Sequence, residues 1–307
     1  MASKEKFEQL YGNIFSPYVD KAKFESRIIS YDYLLAELEK LEKETSEKDL
    51  SKLLAQKDLF TNSKIKDLCR KGVPFKGFKD LILKVLRIDF TTNEYECHLK
   101  KVFKGRSLEK LGTFIPLFSN KKTLEECLPF HYLNEEGIQV LKEILWLINA
   151  YLPSIDYCPL IIKITSFLLV LFSKEQTYEI MRTLVTRNID PPEINLIRWH
   201  FRYDYADNMK IGAALVESIQ ELEDPDANFK LNCMETYGLT KEKFIQQVCE
   251  SFFLEYFNHF IYVNCFNCIN TNFIMYQKYF SCFSSVNCAI IIHLLLKIDP
   301  KGEPLWN

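Results

Sequence analysis

The fourteen residues PLIIKITSFLLVLF, Pro159 to Phe172, are apolar nearly all the way round a helix. A helix of this kind has no face to offer water, so other elements must enclose it. It is too short to cross a bilayer, which takes roughly 20 residues, and Lys163 interrupts it. The segment therefore predicts the core helix of a globular protein. Pro159 suits its first turn, where the missing N–H would have had no partner.

The neighbouring sequence supplies helices to pack around it. Asn134 caps EEGIQVLKEILWLINAYL, with Glu135 and Glu136 in the first turn, where the helix dipole favours acids. Ile138, Leu141, Ile144, Leu145, Ile148 and Tyr151 form its apolar face, and Pro153 ends it. TYEIMRTLVTRN reads as a further helix that stops near Pro191 and Pro192. MKIGAALVESIQELE and TKEKFIQQVCESFFLEYF follow, the latter with Phe244, Val248, Phe252 and Tyr256 at helical spacing. Only nine glycines in 307 residues argue against a sheet threaded by glycine turns. The expected fold class is all-α.

Residues 1–61 are rich in lysine and glutamate and read as a charged, solvated helical lead-in. Leu34, Leu35, Leu38 and Leu41 give it one apolar stripe, too short for a coiled coil. From Ser63 the balance turns basic: Lys64, Lys66, Arg70, Lys71, Lys76, Lys79, Lys84 and Arg87 face only Asp67 and Asp80. A second basic stretch, from Lys100 to Lys122, contains Glu109 as its one acid after Lys100. Such runs are commonly solvated faces, but recurrence over two segments points to an anion-facing patch. The formal net charge of −2 gives no general attraction to nucleic acid.

Residues 258–307 differ from everything before them. Between Tyr256 and Leu296 the only charged side chain, histidines aside, is Lys278, and Asn, Phe, Cys, Ile and Tyr dominate. The asparagines of NCFNCINTNF would be costly in lipid, which argues against a membrane hairpin. A divergent end of the core is one reading. The reading preferred here is sequence foreign to the domain, from a truncated or mis-spliced gene.

Familiar catalytic signatures are missing: there is no Walker A loop, G-x-G-x-x-G, H-E-x-x-H or G-x-S-x-G, and no cofactor is implied. Cys265 and Cys268 form a CxxC, with Cys282, Cys288, His259 and His293 nearby, but no matching second pair completes a zinc knuckle. No metal site is expected. MASKEKFEQLYGNIF lacks the apolar core of a secretory signal, so the ten cysteines are expected to be reduced thiols in the cytoplasm.

Three stretches resemble the TBC domain, the helical module of Rab GTPase-activating proteins. LCRKGVPFKGFKDLILKVL, Leu68 to Leu86, looks like its basic–Gly–Ile–Pro opening, without the usual tryptophan and with Lys79 nearest the usual arginine. VLKEILWLINAYLPSIDYCPLIIKITSFLLVLF resembles the stretch where a helix ends, a Tyr-x-Gln-Gly turn follows and a buried helix begins. FIQQVCESFFLE resembles a late helix of the domain. Tyr157-Cys158-Pro159 is most similar to the Skywalker-like branch, which joins a TBC to a TLDc domain. The resemblance covers residues 62–257, and no TLDc-like region is seen.

The resemblance implies a multi-helix TBC-like fold and a partner among small GTPases of Rab or Arf type. Active TBC proteins insert an arginine and a glutamine into the GTPase site, and an arginine finger in trans is worth roughly 10³–10⁵ in rate. The glutamine position here is Pro159, which has no side-chain donor or acceptor. The arginine motif should lie between Gly112 and Pro129, where GTFIPLFSNKKTLEECLP holds no arginine. One register puts Thr123 at the finger and another puts Cys127 there, with Lys121 and Lys122 the nearest cations. Lysine lacks arginine's planar fork.

The branch is also associated with a cationic pocket for phosphoinositide headgroups. On that ground Lys76 and Lys79, with Arg70 and Lys71, are candidate lipid-binding residues. The expectation is a vesicle-trafficking protein, weak or silent as a GTPase activator, cytoplasmic and peripheral on vesicle or plasma membranes. An active GTPase-activating protein using substitute residues, or a helical scaffold with neither activity, are the alternatives.

Overall fold

The computed structural model describes residues 2–26, 28, 30–44, 51–52, 55, 75–85, 88, 94–104, 115–128, 131–151, 155, 157–186 and 240. Among them every regular element is a helix, joined by one isolated antiparallel bridge between Val19 and Leu133. In chain order these are α1 (Ala2–Tyr11), a 3₁₀ turn (Gly12–Ile14), α2 (Lys21–Glu25), α3 (Tyr31–Glu44), α4 (Phe75–Val85) and α5 (Glu94–Phe103). Then come α6 (Leu124–Cys127), α7 (Glu135–Tyr151), α8 (Leu160–Leu171) and α9 (Lys174–Thr186). The all-α class holds. Apart from Thr240, the late helices around MKIGAALVESIQELE and TKEKFIQQVCESFFLEYF, and the tail 258–307, lie outside the described residues.

α8 is the centre. Every residue from Ile161 to Phe172 is buried, as expected of a helix with no polar face. Each large aliphatic or aromatic side chain it buries contributes about 1.5–3 kcal/mol relative to exposure. The buried Thr165 hydroxyl donates to the Ile161 carbonyl at 2.6 Å, so it is satisfied within the helix. Pro159 sits one position earlier than expected, as the N-cap rather than the first helical residue.

α7 packs on α8, α5 and α9. Asn134 caps it, its Oδ1 accepting from the Gly137 N–H at 2.8 Å. The buried set includes Leu141, Ile144, Leu145 and Ile148 from the expected stripe, together with Val140 and Leu147. Ile138 is only half-buried and Tyr151 is exposed, so the buried face lies wider than the sequence stripe. The reason is that α7 has neighbours on more than one side.

The described part of the lead-in is anchored rather than merely solvated. Ser16 donates its N–H to the Val170 carbonyl at 2.9 Å and its hydroxyl to the Leu169 carbonyl, occupying carbonyls that the end of α8 leaves unpaired. Asp20 N–H donates to Tyr132 O at 2.7 Å, and Asn134 N–H donates to Tyr18 O at 2.8 Å. Phe7, Tyr11 and Phe24 are buried between these contacts and α3, whose Leu34, Leu35 and Leu38 turn inward. The leucine stripe read from the sequence is thus a packing face.

α5 and α9 close the other side. The Tyr95 hydroxyl donates to Glu143 Oε2 on α7 at 2.8 Å, and His98 Nδ1 lies 2.7 Å from the Tyr178 hydroxyl. The His98 ring also rests on Tyr151, with centroids 3.9 Å apart. Arg182 bridges Glu94 at 2.7 Å and Glu179 at 2.9 Å.

Two predictions follow from these contacts. A Cβ at Gly137 would lie 2.8 Å from Tyr18 O and 2.9 Å from Tyr18 Cβ, where backbone cannot yield cheaply. Gly137→Ala should therefore destabilise by about 1–3 kcal/mol, although alanine in a free helix would be preferred by about 1 kcal/mol. Thermal unfolding measures it, and an unchanged or raised Tm would show that Tyr18 does not dock on α7.

Burial holds the His98 imidazole below its ordinary value; Glu94 pulls it up, while Arg182 and Lys101 push it down. The unfolded chain then takes up the proton first. The His98 contribution is complete above about pH 6.5 and is lost as pH falls through the lower folded value. Denaturant titrations at about pH 7 and about pH 5 should show the wild type losing more stability than His98→Asn. Equal losses would mean that His98 does not carry this acid sensitivity.

Candidate functional site

Residues 115–128 and the turn before α8 form the candidate site. Cys158 N–H donates to the Phe118 carbonyl at 2.7 Å, and Ile161 N–H donates to the Cys158 carbonyl at 3.1 Å. One backbone bond therefore ties the 115–128 loop to the turn before α8. Tyr157 and Cys158 are buried and Pro159 is half-buried. Pro159 offers no side-chain cap to α8.

Phe118 pays for its place in this join. It is a buried, non-glycine residue at φ 47°, in the left-handed region. That conformation costs an L-residue roughly 1–2 kcal/mol. Its ring is inside and its carbonyl is bonded, so the surroundings hold it there.

Thr123 and Cys127 have structural duties of their own. Thr123 is the N-cap of α6, its hydroxyl oxygen accepting from Glu126 N–H at 3.2 Å. Glu126 Oε2 accepts in return from Lys122 N–H at 3.0 Å, close to a reciprocal capping box. Cys127 is buried, with Sγ 3.1 Å from Ser119 Oγ. Burial pushes its thiol up, while the Ser119 hydrogen bond and the charge of Lys163 pull the other way. The Thr-x-x-Glu spacing of Thr123 and Glu126 was the available sequence signal for the cap.

An open cleft of about 780 Å³ lies against this loop. Ile115, Pro116, Leu117, Phe118, Leu124 and Ile155 give it apolar walls. Lys121, Lys122 and Glu125 stand along the loop side, and Lys142 and Asn149 enter from α7. Lys142 and Asn149 are seven residues apart, two turns of helix, and so share a face. Sequence reasoning pointed to Lys121 and Lys122 as nearby cations but missed Lys142, which its own segment presents as one more charge on an amphipathic helix.

The proposed lipid residues stand elsewhere. Lys79 is half-buried on α4, and burial holds its amine below the ordinary value against the pull of Asp80. It does not line the cleft. The Lys76 side chain, Arg70 and Lys71 lie outside the described residues, as does the CxxC of Cys265 and Cys268. Among the described residues no group of His, Cys, Asp and Glu is placed to hold a metal ion. No helix among them is long and apolar enough to cross a membrane.

No protein-family model matches the sequence, and no curated protein matches it. Among solved structures, the crystal structure of the TBC domain of Skywalker/TBC1D24 from Drosophila melanogaster matches with a TM-score of 0.43 and 18% identity, over 93% of this chain and 94% of that one. At this TM-score the likeness decides nothing about the site.

Proposed function

We propose that this chain is a TBC-like module that binds a small GTPase of Rab or Arf type and a phosphoinositide membrane in vesicle traffic. In this reading it is weak or silent as a GTPase activator. The observation that carries the reading is the Phe118–Cys158 hydrogen bond. It holds the 115–128 loop against the turn before α8, which supports reading them as the paired finger elements of the resemblance; in that reading neither presents the side chain that catalysis would use. Pro159 has nothing to orient a water. Thr123 caps a helix and Cys127 faces inward. A GTPase could still dock on such a surface, because docking needs shape and charge rather than fingers.

The competing reading is an activator in which Lys121 or Lys122 stands in for arginine. Both are exposed beside the loop. Lysine can neutralise charge as a point cation, although it lacks the bidentate geometry of guanidinium. GTP hydrolysis by a panel of Rab and Arf proteins, with and without this chain, decides between the two. The expected acceleration is below tenfold. A larger one requires about 1.4 kcal/mol of transition-state stabilisation and would establish the activator instead.

For the membrane, Lys76 and Lys79, with Arg70 and Lys71, are the residues proposed to meet phosphoinositide headgroups. Half-burial of Lys79 favours this, since an amine in a low-dielectric setting gains more from a phosphate partner than a fully hydrated one does. Replacing Lys76 and Lys79 together by glutamate should abolish co-sedimentation with phosphoinositide vesicles. Undiminished co-sedimentation would remove this pair from the binding site.

A further inference from the structure

We infer that the cleft between the 115–125 loop and α7 is a binding site for a phosphate-bearing anion, held by Lys121, Lys122 and Lys142. The inference does not depend on a GTPase partner, and Lys79 is not among the described lining residues of the cleft. Three lysines from two elements line one cavity, and Glu125 is the single carboxylate-bearing residue among its described lining residues. Glu126, next to it, accepts the Lys122 N–H through Oε2 and is not among the described lining residues. Lys4, Lys6 and Lys174, by contrast, lie on Glu25, Glu39 and Glu96. None of the three cleft lysines makes an ion pair among the described residues. Among the described lining residues three lysines stand against one glutamate, an excess of two positive charges.

The shape and the strain point the same way. At about 780 Å³ the cleft lies within the roughly 300–1,000 Å³ range of small-molecule sites. Its apolar walls suit the carbon body of a ligand whose charged groups reach the lysines at the rim. Asn149 adds an amide that can donate to a phosphate oxygen or accept from a hydroxyl. Phe118, in its left-handed conformation, immediately precedes the Ser119–Lys122 stretch. Strained backbone of this kind persists where the surroundings over-determine it, and ligand clamps are a recurrent setting. Here the Cys158 bond on one side and the α6 cap on the other fix the loop that carries Lys121 and Lys122. Lysine ammonium groups act as point charges, which suits clustered phosphates presented in more than one orientation.

Clustered phosphates can come from a soluble ligand or from a lipid headgroup, so the test has two arms. The full chain is titrated calorimetrically with inositol hexakisphosphate, and is sedimented with phosphatidylcholine vesicles containing phosphatidylinositol bisphosphate. Each arm compares the wild type, Lys121→Glu with Lys122→Glu, Lys142→Gln alone, and Lys76→Glu with Lys79→Glu. The expected result is at least tenfold weaker binding for the Lys121/Lys122 variant and a smaller loss for Lys142→Gln, in whichever arm the wild type binds. Binding should also weaken as salt is raised. Binding in the calorimetric arm alone assigns the site to a soluble ligand; binding in the vesicle arm alone assigns it to the membrane. Circular dichroism melts of each variant distinguish lost binding from lost folding, and the exposed Lys121 and Lys122 can be replaced without opening the core. No wild-type binding in either arm overturns the inference, as does binding that the cleft variants leave intact. Loss confined to the Lys76/Lys79 variant would overturn the cleft while sparing the membrane reading above. Loss confined to the cleft variants would do the reverse.

Discussion

A helix without a solvent face organises this molecule. α8 can be stable in water only if it is enclosed, and α7, α9 and the 14–20 segment are recruited to enclose it. Its polar groups then become the problem. The Thr165 hydroxyl turns back to its own helix, and Ser16 bonds carbonyls near the far end. An unpaired buried carbonyl costs more than a hydrogen bond gains, so these small contacts have a large say in where the flanking segments lie.

The same enclosure makes the N-terminal segment part of the core. Leu34, Leu35 and Leu38 read correctly as one face of a helix, but the stripe does not say what it faces. The partner contacts are backbone bonds at Ser16, Tyr18 and Asp20, to Val170, Asn134 and Tyr132 far along the chain. Backbone pairing at that range leaves no trace in periodicity, so lysine and glutamate set the sequence impression of a solvated lead-in. Gly137 is the one residue there that hints at it. A glycine in the first turn of an otherwise strong helix is unfavourable unless something must come close, and Tyr18 does.

For the fold, then, the sequence was legible where burial is dictated by composition. α7 and α8 lie where their apolar patterns predict, α9 begins three residues before the Thr177 read from the sequence, and Asn134 caps as its position suggests. The site was legible in pieces. Pro159 and the 112–129 loop could each be singled out, but not that Phe118 joins them, since a left-handed phenylalanine has no propensity signal. Lys142 was hidden for a different reason. A lysine on the polar side of an amphipathic helix looks the same whether it faces bulk water or a cleft.

The join itself bears on how such a site can change its chemistry. The loop and the turn are held by Phe118 O to Cys158 N, and the start of α6 by Glu126 N–H to Thr123 Oγ1 and Lys122 N–H to Glu126 Oε2. The first is pure backbone, and the second uses a cap that any short polar residue could supply. Neither depends on what stands at position 159 or on the identity of the exposed residues at 121 and 122. A frame built this way can lose a catalytic side chain without losing its shape. Surface charges on such a frame can change without disturbing it, and among the described residues three lysines and one carboxylate stand beside the apolar-walled cleft.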